Sequence, residues 1–284
     1  MIYLIIVSIL WSFSFGIIKY CLNGVDSSYI SFIRSLIALL FFSSISIYNI
    51  KKFTLDLKLI LIGALQFGLM YIFYIQSYAY LPAYLIATFT ITTPIFIGLA
   101  SKYIARQSIS KNGIYAISLV IVGSFLMRIN FVNPLDYWFG FLLIQCANLF
   151  FASGQILFKE WKIENDGTDI LHNFSQMFLG ATLVTSLFYL FSSSGSNQLS
   201  SENLFALIFL GLISTGLGFL FWNLGSLKVT NDKLAVMNNL IIPIAILNSY
   251  FIFGEQIDSS TFVPGVICFY LSLIHISEPT RLRS

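Results

Sequence analysis

Polar residues along the chain fall in short clusters, and the stretches between them are almost unbroken runs of apolar side chains. Ten such runs are long enough to cross a bilayer, at roughly 2–19, 28–49, 58–80, 83–104, 111–129, 135–158, 170–191, 203–227, 233–253 and 261–276, each near the ~20 residues that a membrane helix needs. They do not alternate as strands of a barrel would, and lipid leaves no partner for an open backbone, so the pattern predicts helices. Runs three and four are joined only by Leu81-Pro82-Ala83, and runs eight and nine only by Thr230-Asn231-Asp232, so each pair reads as a tight helical hairpin.

These two hairpins share a design. Sliding Gln66–Gln107 onto Thr215–Gln256, an offset of 149, pairs Ser77 with Ser226, Leu85 with Leu234 and Pro94 with Pro243 without a gap. Fainter echoes join Phe15–Lys19 in span one to Gln155–Lys159 in span six, and Arg34–Ala38 in span two to Gln176–Gly180 in span seven. The expected fold is therefore an all-α polytopic membrane protein of ten transmembrane helices in two five-helix repeats, 1–130 and 131–272. Five is odd, so the second repeat enters the bilayer inverted, an arrangement by which carriers expose one midplane site to either face. A mid-helix proline frees a backbone carbonyl, and Pro94 and Pro243, each near the middle of its span, mark the predicted site.

Composition agrees: 57% of residues are hydrophobic, 10% are charged and the mean hydropathy is +0.86, where a soluble domain is about one quarter charged. The lipid bilayer is thus a partner, and a net charge of +3 gives no reason to expect nucleic acid. With the N-terminus inside, the inner loops hold Lys51, Lys52, Lys58, Lys102, Arg106, Lys111, Lys159, Lys162, Lys228 and Lys233, against Lys19 and Arg128 outside. That bias places both termini in the cytoplasm. The first run continues too far for a cleaved signal sequence. Cys21, Cys146 and Cys268 are widely spaced without nearby metal-ligating partners, so no metal or cofactor is expected.

Arg34 is the one charged residue well inside a span. It reads either as an anchor for a substrate carboxylate or as a structural arginine that reaches the surface or neighbouring carbonyls. All twelve acidic residues lie in loops, at span ends or in the tail, so no carboxylate relay for proton coupling is expected in the bilayer core. Uncharged polar and aromatic residues gather in the spans that the repeat singles out: Trp11, Gln66, Tyr74, Thr92, Asn148, Trp222 and Asn239. With Arg34, Pro94 and Pro243 they form the candidate lining of a cavity for a small amphipathic solute; the same residue types also serve as glue between membrane helices.

LWSFSFGIIK in span one, FIRSLIALL in span two, the prolines of spans four and nine, and Phe253-Gly254-Glu255 at the end of span nine resemble the drug/metabolite transporter superfamily in its EamA branch. Trp11, Arg34, Pro94, Pro243 and Glu255 match that pattern by position, while Ala105-Arg106 stands where the family often has Gly-Glu after span four. The resemblance implies a bacterial inner-membrane carrier, often an exporter, for small metabolites such as amino acids, working by alternating access; the sequence itself fits a monomer or a homodimer, since a ten-helix duplication can enclose its own path. A membrane-embedded enzyme is the alternative reading, but His172 and His275 are the only histidines and no catalytic set accompanies them. A structural or sensory membrane protein is a third. Leu271–Ser284 resembles translated adapter sequence; both the family pattern and Gly123 in span five would put a small residue near His275, so the natural sequence is expected to stop near Ser272 and 273–284 to be a non-native tail.

Overall fold

The computed structural model describes residues 1–47, 55–107, 134–192 and 199–254, with scattered positions between 111 and 122 and between 263 and 271. Spans five and ten, Glu255, Gly123, His275 and the tail 273–284 lie wholly or mainly outside the described residues. Among those described, eight helices are long and apolar enough to cross a membrane: Ile2–Cys21, Ser27–Ser46, Leu57–Ala79, Ala83–Tyr103, Trp138–Glu164, Ile170–Ser192, Ser201–Ser226 and Asn231–Phe251. They are spans one to four and six to nine of the sequence reading.

Their starts are set by capping groups. Asp26 accepts from the Ser28 and Tyr29 amides at 2.7 and 3.2 Å, and Asp56 from the Lys58 amide at 2.8 Å. Ser200 and Asn203 exchange side-chain bonds with each other's amides in a capping box. Each satisfies backbone N–H groups that have no intrahelical partner.

The helices at the centre are not regular. Span four runs Ala83–Phe89, tightens into a 3-10 turn over Thr90–Thr92, and resumes over Thr93–Tyr103 with Pro94 in its first turn. Span nine ends its first segment at Asn238 and resumes over Ile241–Phe251, with Pro243 third in the new segment. The cause is the same in both: proline has no N–H to donate and its ring crowds the carbonyl four residues back. Spans three and eight carry wide π-helical turns over Ala64–Leu69 and Phe209–Leu217, which overlap at the offset of 149.

Packing joins helices that are far apart in the sequence. The first segment of span four lies on the second segment of span nine, and the second segment of span four on the first of span nine, so the two broken helices run antiparallel. Span one packs on spans eight and nine, and span six on spans three and four. Residues 11–19 and 151–159 carry the same sequence of buried and half-buried positions, with Trp11 and Phe151 at the start of the pattern and Lys19 and Lys159 at its end. Spans three and seven approach most closely at two glycines. A Cβ on Gly63 would stand 1.9 Å from the Met177 carbonyl oxygen, and one on Gly180 1.9 Å from that of Ile60. Small residues permit this backbone contact in lipid, where dispersion and shape hold helices together. Residues such as Leu190, Phe191 and Phe205 are exposed on the outer face, as lipid contact requires.

Candidate functional site

A cavity opens between these helices. Span one supplies Trp11, Ser14 and Phe15, span two Arg34, span three Met70, Tyr71 and Tyr74, and span four Thr90 and Thr93. Span six adds Ala147, Asn148 and Phe151, span eight Ser214, Phe219 and Trp222, and span nine Asn238 and Ile241. None of the described residues that line it is acidic.

Aromatic rings form most of the wall. Trp11 sits 5.0 Å from Trp222 and 4.9 Å from Phe219 between ring centroids, with Phe151 edge-on at 5.8 Å. Its indole N–H donates to the Ser214 carbonyl at 2.8 Å. That acceptor belongs to the π-helical stretch of span eight, whose wide turn changes the usual pairing of backbone groups. Gly218 leaves room for the ring: a Cβ there would come within 2.7 Å of Trp11 Nε1.

Among the described residues Arg34 is the one charged side chain in the wall, and it is 2% exposed. Its Nε donates to Thr215 Oγ1 at 3.1 Å and its Nη2 to the Tyr71 hydroxyl at 3.0 Å, while those two hydroxyls bond each other at 2.7 Å. The guanidinium carbon also stands 4.3 Å from the Tyr71 ring centre, within cation–π range. Nη1 is buried and has no hydrogen-bond partner among the described residues. Two neutral hydroxyls and a ring thus orient the cation but supply no counter-charge, and a buried cation without an anion is costly in lipid. Arg34 neither snorkels nor spends its donors on backbone carbonyls.

Of the ten residues singled out in the sequence, Trp11, Arg34, Tyr74, Asn148 and Trp222 line the cavity, whereas Gln66, Thr92, Pro94, Asn239 and Pro243 are not part of its wall. Asn148 Nδ2 donates to the Phe89 carbonyl at 2.9 Å and to Thr92 Oγ1 at 3.0 Å, and Asn239 Nδ2 to the Ile91 carbonyl at 2.9 Å. Both amides therefore tie off carbonyls at the break in span four, one from span six and the other from span nine. Thr92 also reaches the Gln145 amide. Gln66 is buried and donates to Asn223 Oδ1 at 3.2 Å, and Trp222 donates to Gln155 Oε1 at 2.9 Å. The sequence reading did not single out Thr215, Ser214 or Phe219. The repeat held a signal for the first, since the offset of 149 sets Thr215 opposite Gln66; nothing in the sequence marks the carbonyl of Ser214.

Comparison with known proteins gives this geometry its family. The EamA-like transporter family model matches residues 1–129 and 138–277. The chain is 31% identical over 278 residues to the biotin transporter of Salmonella typhimurium, covering 95% of this chain and 90% of that one. It is 30% identical over 274 residues, with the same coverage, to the biotin transporter of Escherichia coli. A solved crystal structure superposes with a TM-score of 0.78 over 97% of this chain and 95% of its own at 12% identity, a likeness of fold alone. The chain is a multi-pass membrane protein and a carrier rather than an enzyme, and it belongs to the EamA-like transporter family of drug/metabolite transporters.

Proposed function

We propose that this protein carries biotin, or a closely similar amphipathic monocarboxylate, across the bacterial inner membrane, and that Arg34 binds the carboxylate. The observation that carries the reading is the buried guanidinium with Nη1 unpartnered among the described residues, in the wall of a cavity with no acidic lining residue among them. A carboxylate would supply the missing counter-charge through charge-assisted hydrogen bonds. The rest of the wall suits the rest of such a molecule. Trp11, Phe151, Phe219 and Trp222 offer contact area for an apolar body. The ureido group of biotin needs both donors and acceptors, which Asn148 and the Ser14–Ser214 hydroxyl pair, 2.8 Å apart, provide. Amino acids, the solutes implied by the family resemblance, fit less well, because their ammonium group would join Arg34 in a wall without a carboxylate.

The ten-helix inverted repeat belongs to the same proposal. Its supports are the matched breaks at Pro94 and Pro243, the overlapping π-turns, the antiparallel crossing of spans four and nine, and family matches whose bounds nearly divide the chain in two. The two halves present the cavity to either face in turn, with the termini cytoplasmic. Since the acidic residues all lie outside the bilayer core, flux follows the solute gradient and export is one of its two directions. One chain encloses the cavity, so a monomer suffices. The test is counterflow of labelled biotin in proteoliposomes. Saturable accumulation driven by unlabelled biotin inside is the expected result, and its absence with correctly inserted protein overturns the proposal.

A further inference from the structure

Spans two and seven pack on each other, span two also on spans three and eight and span seven on span three; the other described helices around the cavity fall into two units. Span one with hairpin eight–nine forms one, and span six with hairpin three–four forms the other. The cavity lies between them, with walls from both. One lysine crosses from each unit to the other. Lys19, near the end of span one, donates to the Tyr78 carbonyl at 2.8 Å and the Leu81 carbonyl at 3.1 Å, at the turn of hairpin three–four. Lys159, at the equivalent place in span six, donates to the Val229 carbonyl at 2.7 Å and to Asn231 Oδ1 at 2.8 Å, at the turn of hairpin eight–nine.

The two contacts stand at opposite ends of the molecule. Spans four and nine run antiparallel, so the turn that begins span four is near the end of span nine, and the turn that begins span nine is near the end of span four. Side-chain contacts repeat this arrangement. Tyr20, next to Lys19, stacks on Phe253 at 5.2 Å, while Asn231, the partner of Lys159, reaches Gln107 beyond the end of span four at 3.4 Å.

We infer that Lys19 and Lys159 are paired latches, one at each mouth of the cavity, and that each must release its hairpin turn for its own side to open. The acceptors at the two turns are backbone carbonyls and one side-chain amide, so each latch includes charge-assisted hydrogen bonds to neutral groups. Both latches are closed in this structure. Neither lysine lines the cavity, so they are positioning residues for the transport cycle, whatever the solute.

The test reads conformation without substrate, and its outcome is therefore separate from that of biotin counterflow. Cys21, Cys146 and Cys268 are replaced by Ser, and Thr90→Cys in the cavity wall reports access to a membrane-impermeant maleimide in right-side-out and inverted vesicles. Lys19→Met is expected to raise labelling from the Lys19 side about threefold or more and to lower it from the Lys159 side, and Lys159→Met to do the reverse. Asn231→Ala, which removes one acceptor and leaves both cations in place, should shift labelling in the same direction as Lys159→Met but by less. A merely structural role would move both faces together, so a same-sign change in the two lysine variants overturns the inference. So does unchanged labelling in Lys159→Met and Asn231→Ala.

Discussion

Arg34 meets three demands at once: it is fully sheltered, it is held in one orientation, and it keeps a donor free of the described residues. Tyr71 and Thr215 supply the orientation, from span three and span eight. Truncating one partner of a buried, hydrogen-bonded charge pair costs about 2–5 kcal/mol, so Arg34→Met is expected to weaken biotin binding roughly thirtyfold or more, as read from half-saturation of counterflow. Arg34→Lys keeps the charge without the planar fork and should fall between wild type and Arg34→Met. Tyr71→Phe and Thr215→Val leave the cation in place but free to turn. Hydrogen bonds to charged groups contribute about 1.5–3 kcal/mol, and these two variants are expected to weaken binding about tenfold each, measured in the same assay. The position of Arg34 inside a span was plain from the sequence, and so was its choice between two roles. Its neighbours were not, because Thr215 lies 181 residues away and meets Arg34 only through the packing of spans two and eight.

At the level of helices, the breaks in spans four and nine join the two hairpins. Asn239, at the break in span nine, ties off the Ile91 carbonyl at the break in span four. Asn239→Ala would leave that carbonyl unpartnered, and a buried unsatisfied group costs about 1–3 kcal/mol; a lowered melting temperature in detergent is the expected result. Pro94→Ala and Pro243→Ala restore an N–H donor and favour an unbroken helix, so turnover should fall severalfold while membrane insertion stays intact, measured by counterflow rate per inserted molecule. Gly63→Ala drives a methyl group into the Met177 carbonyl, and overpacking of this kind costs about 1–3 kcal/mol, again seen as a drop in melting temperature. The prolines, the hairpins and most span limits could be read from the sequence because hydropathy and proline chemistry act locally. The exchange of partners, span one on hairpin eight–nine and span six on hairpin three–four, could not. It is fixed by shape between faces that are apolar all round, and a run of Leu, Ile and Phe carries no record of which neighbour it meets. For the same reason the sequence did not show that Gln66, Thr92, Pro94, Asn239 and Pro243 lie off the cavity wall, since their residue types resemble those that line it.

At the scale of the molecule, the buried Arg34 faces a largely apolar cavity between two units that lysines join at both ends. Such a carrier selects by charge as well as shape: an anionic head satisfies Arg34, and a neutral head of the same size leaves it uncompensated. Recognition of the carboxylate by Arg34 is the central claim, and competition by biotin and by biotin amide in counterflow of labelled biotin tests it most directly. Wild-type protein is expected to prefer the acid over the amide by at least tenfold, and Arg34→Met to lose that preference. Equal competition by acid and amide in the wild type, or an undiminished preference in Arg34→Met, would contradict it.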